Sequence, residues 1–154
     1  MSEHKATLEW RRQSVDFDYR TYSRAHSLDF EGGIRVPASA APANIPPTAK
    51  GAAGVDPEQA FVASLSSCHM LWFLLLACKA KLVVDRYVDH ASGFLGKNAE
   101  GREAMTRVTL RPVVTFSGRK PGTEEHAQLH EAAHHKCFIA NSVKSEVTVE
   151  PEIA

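Results

Sequence analysis

One stretch, residues 56–80 (DPEQAFVASLSSCHMLWFLLLACKA), constrains this chain more than any other. It begins with helix-entry signals: Asp56 can accept a backbone N–H as N-cap, Pro57 suits the first helical position, and Gln59 sits where the reciprocal partner of a capping box belongs. From residue 60 to residue 78 there is no formally charged side chain, and apolar residues fall on every face. A helix that is apolar all round is buried on all sides or lies in a membrane. A span needs roughly 20 predominantly apolar residues. Here Ser64, Ser66, Ser67 and His69 interrupt the first half, and no positive cluster precedes it to set an orientation. The expectation is therefore a central, buried core helix, not a membrane segment. The triplet Ser67-Cys68-His69 near its middle sets a thiol into apolar surroundings.

The 154 residues are expected to form a single domain, 1–154, long enough to bury a core. Eighteen Lys and Arg balance eighteen Asp and Glu, so nothing in the charge points to nucleic acid or a membrane surface as partner. The opening residues carry no apolar run of the secretory type. Three cysteines at wide spacing do not make a disulfide framework. Reduced thiols in a cytoplasmic protein are the expectation.

Around the helix, residues 5–36 read as two or three strands, with a hairpin at Glu31-Gly32-Gly33. Residues 37–55 are a Pro-, Ala- and Gly-rich loop. Strands are expected over 82–91 and 105–116, with an edge, bulge or break at Pro112, and a polar turn over 96–101. Residues 124–136 suit a second helix with Thr123 as N-cap, acidic at its start and basic at its end. A short helical turn or loop over 137–143 and a last strand over 146–149 complete an order that predicts an α+β fold with a mainly antiparallel sheet wrapped on the central helix.

Several side chains could carry chemistry. Cys68 is a small buried hydrophobe on the ordinary reading of a helix-core cysteine. A reactive thiol needs a nearby cation and partial access, and Cys68 has polar neighbours where Cys78 has none. Cys137 follows His134-His135-Lys136 at the start of a possible helical turn, surroundings that favour thiolate. If the fold joins Cys68 to Cys137, one thiolate can attack an oxidant and the other resolve the sulfenic acid to a disulfide. His126, His130 and His134 share one helix face. They read either as a polar exposed face or, with His135, Cys137, Cys68 and His69, as a loose zinc-ligand set. No C-x-x-C or H-E-x-x-H spacing supports the metal, and none is expected. Glu58 in the first helical turn and Arg24 between strands are weaker signals by themselves.

Taken together, DPEQAFVASLSSCH, HHKCFIANSV, YSRAHSLDFEGG and YVDHASGFLG resemble the OsmC/Ohr family of thiol-dependent peroxidases over most of the chain. The resemblance implies an intertwined homodimer with two long central helices wrapped by sheets and active sites at the subunit interface. It also implies reduction of organic hydroperoxides by two cysteines, without metal, haem or other cofactor, in oxidative or osmotic stress defence. It assigns Cys68 as the peroxidatic cysteine, Cys137 as the resolving one and Glu58 as the active-site glutamate. Arg24 would be the arginine that stabilises the thiolate, ahead of Arg20 and Arg35. The reductant would be a dithiol of the thioredoxin or lipoyl kind.

In a straight helix, Glu58 and Cys68 lie roughly 15 Å apart along the axis and about 80° apart around it, too far for a shared hydrogen bond. A two-fold partner could supply its own Glu58 to Cys68. The alternative on the same scaffold is a non-catalytic module that senses redox state or holds a small apolar ligand at the dimer interface.

Overall fold

The structure is a computed structural model and describes residues 1–49 and 52–154. The chain divides into two compact units, residues 1–60 and 61–154. The fold is α+β, as the order of elements predicts.

The first unit carries a three-stranded antiparallel sheet of β1 (Ala6–Glu9), β2 (His26–Phe30) and β3 (Ile34–Ala38), in that order. Gly32 and Gly33 take positive φ in the β2–β3 turn, a conformation open to glycine at no steric cost. Residues 10–25, expected to continue the strand pattern, contain no strand. The loop after β3 has a short 3-10 turn at Pro42–Asn44, and Val55 returns to pair with Ala38. That approach is close enough for a Cβ at Gly54 to collide with the Ala38 backbone. The expected loop over 37–55 includes residues 50 and 51, which lie outside the described residues.

Helix α1 (Pro57–Lys79) starts where its entry signals put it. The Asp56 carboxylate accepts the Gln59 N–H at 2.7 Å, and the Gln59 side chain accepts the Asp56 N–H at 3.2 Å, a reciprocal capping box. It stops without glycine. Lys81 takes φ 58°, and Leu82 N–H returns to the Ala77 carbonyl at 3.0 Å, closing a Schellman-type cap on a lysine.

In the second unit, β4 (Val83–Asp89), β7 (Pro112–Ser117) and β9 (Glu152–Ile153) form one sheet; β5 (Ser92–Lys97), β6 (Glu103–Leu110) and β8 (Glu146–Val149) form another. The β4–β7 and β5–β6 pairings are antiparallel, while β8 and β9 join β6 and β7 in parallel. The expected strand over 105–116 is two strands in different sheets, broken at Arg111-Pro112. The Asp89 carboxylate fixes this corner by accepting the Arg111 N–H at 2.6 Å and the Ser66 hydroxyl of α1 at 2.5 Å. Strand β5 was unexpected because it is rich in glycine. At Gly93 a side chain would strike Met105 and Val62, so here glycine serves close packing of strand and helix. Helix α2 (Thr123–Lys136) has Gly122 as its N-cap without a side-chain bond, and Thr123 is its first residue, not its cap.

Two apolar clusters hold this unit together. Leu65 packs with Val108, Leu110 and, among others, Val143 and Val147, under the β5–β6–β8 sheet. Phe73 and Ala77 pack with Val114, Phe116 and Ala133 of α2 under the β4–β7–β9 sheet. Fully burying each large aliphatic or aromatic side chain contributes about 1.5–3 kcal/mol. The buried positions of α1 are thus Leu65, His69, Phe73 and Ala77, one stripe at four-residue spacing. The expectation of a helix buried on all sides is corrected in this respect: Leu71, Leu75 and Cys78 are exposed in the single chain. By length and apolar composition α1 would also pass for a membrane span.

Candidate functional site

Between the two apolar clusters, at the level of residues 68 and 69, α1 presents its polar side chains. Two separate arrangements result.

The first is a thiol pair. Cys137 is the residue that ends α2, its N–H bonded to the His134 carbonyl at 3.1 Å. Its side chain is 1% exposed, with the Ala140 N–H 3.4 Å from its Sγ and the Cys68 thiol near enough to act on its titration. Burial, then the neighbouring Cys68 thiol, push the Cys137 thiol up to about 11. Cys137 is therefore a thiol at neutral pH, the reverse of what its basic neighbours in sequence led us to expect. Two of those neighbours are engaged elsewhere: Lys136 Nζ lies 5.6 Å from the Trp72 ring centroid, and His135 faces Glu131 on the exposed side of α2; the third, His134, keeps a buried Nδ1 without a partner among the described residues. Cys68 is partly exposed, and both cysteines are reduced. The apolar surroundings include Trp72, whose ring packs edge-on against the exposed Phe138 at 5.5 Å. The pair combines an accessible thiol with a sealed one.

The second arrangement is a histidine row, which the sequence reading grouped as an exposed face or a loose zinc set and not as a buried, mutually bonded series. His69 Nε2 and His130 Nδ1 are 2.9 Å apart, and His130 Nε2 lies 3.2 Å from His126 Nε2. A neutral imidazole has one N–H, so His130 donates to one neighbour and accepts from the other. Phe73 stacks on His130 at 4.1 Å, and Phe116 and Tyr87 close the surroundings. Burial, more than any neighbouring charge, lowers the pKa of His69 to about 4, that of His130 to about 3, and that of His126 in the same direction. The expected exposed polar face is corrected for His126 and His130, which are buried. Among the described residues, no group of three or more His, Cys, Asp or Glu side chains is arranged to hold a metal ion. The i, i+4 spacing on α2 was the visible signal; His69 was named beside it only as a possible metal ligand, and its direct bond to His130 was not foreseen.

The remaining site candidates lie in the first unit. Glu58 stands in the first turn of α1 with its Oε2 buried and without a partner among the described residues. Arg24 is held elsewhere: its guanidinium donates to the Tyr22 carbonyl at 2.6 Å and the Tyr19 carbonyl at 2.7 Å, and lies 3.7 Å from the Tyr22 ring centroid. No ion pair joins Arg24 to Glu58 among the described residues. Arg20 and Arg35, the other arginines considered, form surface ion pairs with Asp18 and Asp29.

With this geometry in view, comparison with known proteins is informative. Among curated protein sequences none matches. A solved OsmC-like protein of unknown function from Vibrio cholerae is 50% identical, with a TM-score of 0.93, covering 98% of this chain and 99% of that one. An organic hydroperoxide resistance protein from Elizabethkingia anophelis superposes with a TM-score of 0.67 at 17% identity, covering 100% and 96% of the two chains. The organic hydroperoxide resistance protein OhrB of Bacillus subtilis gives 0.62 at 19%, covering 99% and 98%. The last two likenesses speak to the fold. The family model for OsmC-like proteins matches residues 49–152, and the chain belongs to the OsmC-like family.

Proposed function

We propose that this protein is a cysteine-based peroxidase that reduces organic hydroperoxides in the cytoplasm. The observation that carries the reading is the thiol pair: an accessible Cys68 with the protonated Cys137 against its sulfur. Cys68 thiolate attacks the terminal oxygen of ROOH, breaking the O–O bond; the alkoxide leaves and takes up a proton to become ROH. Cys68 is now the sulfenic acid. The Cys137 sulfur attacks it, giving the Cys68–Cys137 disulfide and water. A thioredoxin-like or lipoyl dithiol then returns both thiols, becoming a disulfide itself. A Cys137 that stays protonated until the sulfenic acid forms does not compete for the peroxide, since the thiolate is the nucleophile.

Glu58 and Arg24 enter this reading through the family resemblance, as the carboxylate and guanidinium that favour the Cys68 thiolate. A homodimer also belongs to it. Leu71, Leu75 and Cys78 form an apolar strip on α1 that one chain leaves open, and a second copy would cover it isologously. Leu71→Asp should then halve the mass seen by sedimentation; an unchanged mass would remove α1 from the interface.

The function itself is tested by following sulfenic acid with a dimedone-type trap during one turnover of cumene hydroperoxide. The wild-type chain should pass through it briefly and end as a disulfide; Cys137→Ser should accumulate it, and Cys68→Ser should never form it.

A further inference from the structure

Beside the β5–β6 turn, the second unit carries a cavity of about 640 Å³ lined by no residue of the thiol pair or the histidine row. The volume lies within the range of small-molecule sites. Its apolar wall is made by Phe61, Met105 and Val143. Phe61 and Val143 also pack on the buried Leu65–Val108–Leu110 cluster, so the core fixes this wall before any ligand arrives.

The charged residues of the lining are both cations. Lys97 is the last residue of β5, and Lys144 stands two residues before β8. Both are exposed, so their ammonium groups can be reached from solvent. Arg102, Arg111 and Arg119 of the same unit each hold a carboxylate; Lys97 and Lys144 hold none among the described residues. Glu103 stands across the strand pair from Lys97, and Glu146 opens β8, but neither lines the cavity. Asn98 adds a donor. Its Oδ1 already accepts the Glu100 and Arg102 N–H groups, each at 3.0 Å, which leaves its NH2 as the unused end. Ser145 and Thr106 give their hydroxyl hydrogens to the Met105 and Phe94 carbonyls, so they tie the wall to the sheet and donate nothing to a ligand. Two cations and an amide donor over an apolar wall call for an anion rich in acceptor oxygens that carries an apolar body.

We propose that this cavity binds a small phosphate monoester with an aromatic body, its phosphate between Lys97 and Lys144 and its ring against Phe61 and Val143. Two positive charges match the charge of about −1.5 to −2 that such an ester carries at neutral pH. Lysine meets phosphate as a point charge on a flexible stem, so two of them can converge on one group; a planar carboxylate suits the arginine fork better. Nucleic acid is disfavoured, because Glu100, Glu103 and Glu146 stand nearby in sequence and would repel an extended row of phosphates. Bare phosphate leaves the apolar wall uncovered. The site stands whether or not the thiols turn over peroxide.

Calorimetry at low salt with 1-naphthyl phosphate, 1-naphthalenesulfonate, 1-naphthol and inorganic phosphate separates charge from apolar contact. The phosphate ester should bind saturably, and each of the other three about tenfold more weakly or worse. Lys97→Gln combined with Lys144→Gln should weaken the ester by about tenfold or more and leave naphthol unchanged. Added salt should weaken the ester in the same direction, because both lysines are exposed. The four probes on the unmodified chain keep the test decisive if the double variant fails to fold. Naphthol binding as tightly as the ester, an unchanged affinity in the folded double variant, or no saturable heat up to about 1 mM ester would overturn the proposal. Such a result would leave the thiol chemistry untouched, because no peroxide is present.

Discussion

The thiol pair and the histidine row are built by the same two helices and differ in what surrounds them. His126, His130 and His69 are enclosed by Phe73, Phe116 and Tyr87, bond to one another in series, and are kept neutral by burial. Cys68, one residue before His69, keeps partial access to solvent while its partner thiol is sealed. Polar groups closed off and bonded chiefly to each other serve packing and specificity, although His69 Nδ1 has no partner among the described residues. A polar group paired on one side and open on the other is placed to react. The difference teaches that the chemistry of this protein turns on access, since burial is what marks both sets of groups.

Removing the nucleophile should give the largest effect. Cys68→Ser should lower organic peroxide turnover by about a thousandfold or more, measured by coupled dithiol oxidation, with the melting temperature little changed. His130→Ala should act in the opposite sense. It opens a cavity and strands two buried imidazoles, so urea unfolding should show a loss of about 3 kcal/mol or more, while the folded fraction keeps its rate of Cys68 oxidation. If His130→Ala stops oxidation in folded protein, the row is part of the chemistry and the comparison fails.

The row also predicts an acid limit. In the unfolded chain a histidine takes up a proton near pH 6.5, whereas in the folded protein His69 and His130 resist it down to about 4 and about 3. The unfolded state therefore binds more protons, and stability falls as the pH drops below about 6.5, by up to about 1.4 kcal/mol per pH unit for each histidine. Stability contributed by the neutral row is fully present above that pH. Urea midpoints at pH 7.5 and pH 5 measure the slope, and His130→Phe should reduce it. The smallest effect belongs to Cys78, on the α1 strip and outside the thiol pair: Cys78→Ser should leave peroxide turnover unchanged.

Much of this was legible in the sequence, for identifiable reasons. Asp56, Pro57 and Gln59 announce the start of α1 by local hydrogen bonding, which depends on nothing distant. Strand β8 and the break at Pro112 follow from equally local rules. Gly93 misled because its role is to let Val62 and Met105 approach, a fact about neighbours thirty-one and twelve residues away. The charge state of Cys137 misled for the same reason: His134, His135 and Lys136 are adjacent in sequence, but burial beside Cys68 decides its pKa. The aromatic residues 10–22 read as strand because alternation does not reveal that Trp10, Phe17 and Tyr22 pack on one another and that Tyr19 and Tyr22 lie on the Arg24 guanidinium.

The most direct test of the central claim is the intact mass and free-thiol count after one equivalent of cumene hydroperoxide, compared with hydrogen peroxide. The account predicts rapid loss of two thiols, an intrachain Cys68–Cys137 disulfide, Cys78 still free, and a faster reaction with the organic peroxide. Slow oxidation that treats all three cysteines and both peroxides alike would contradict it.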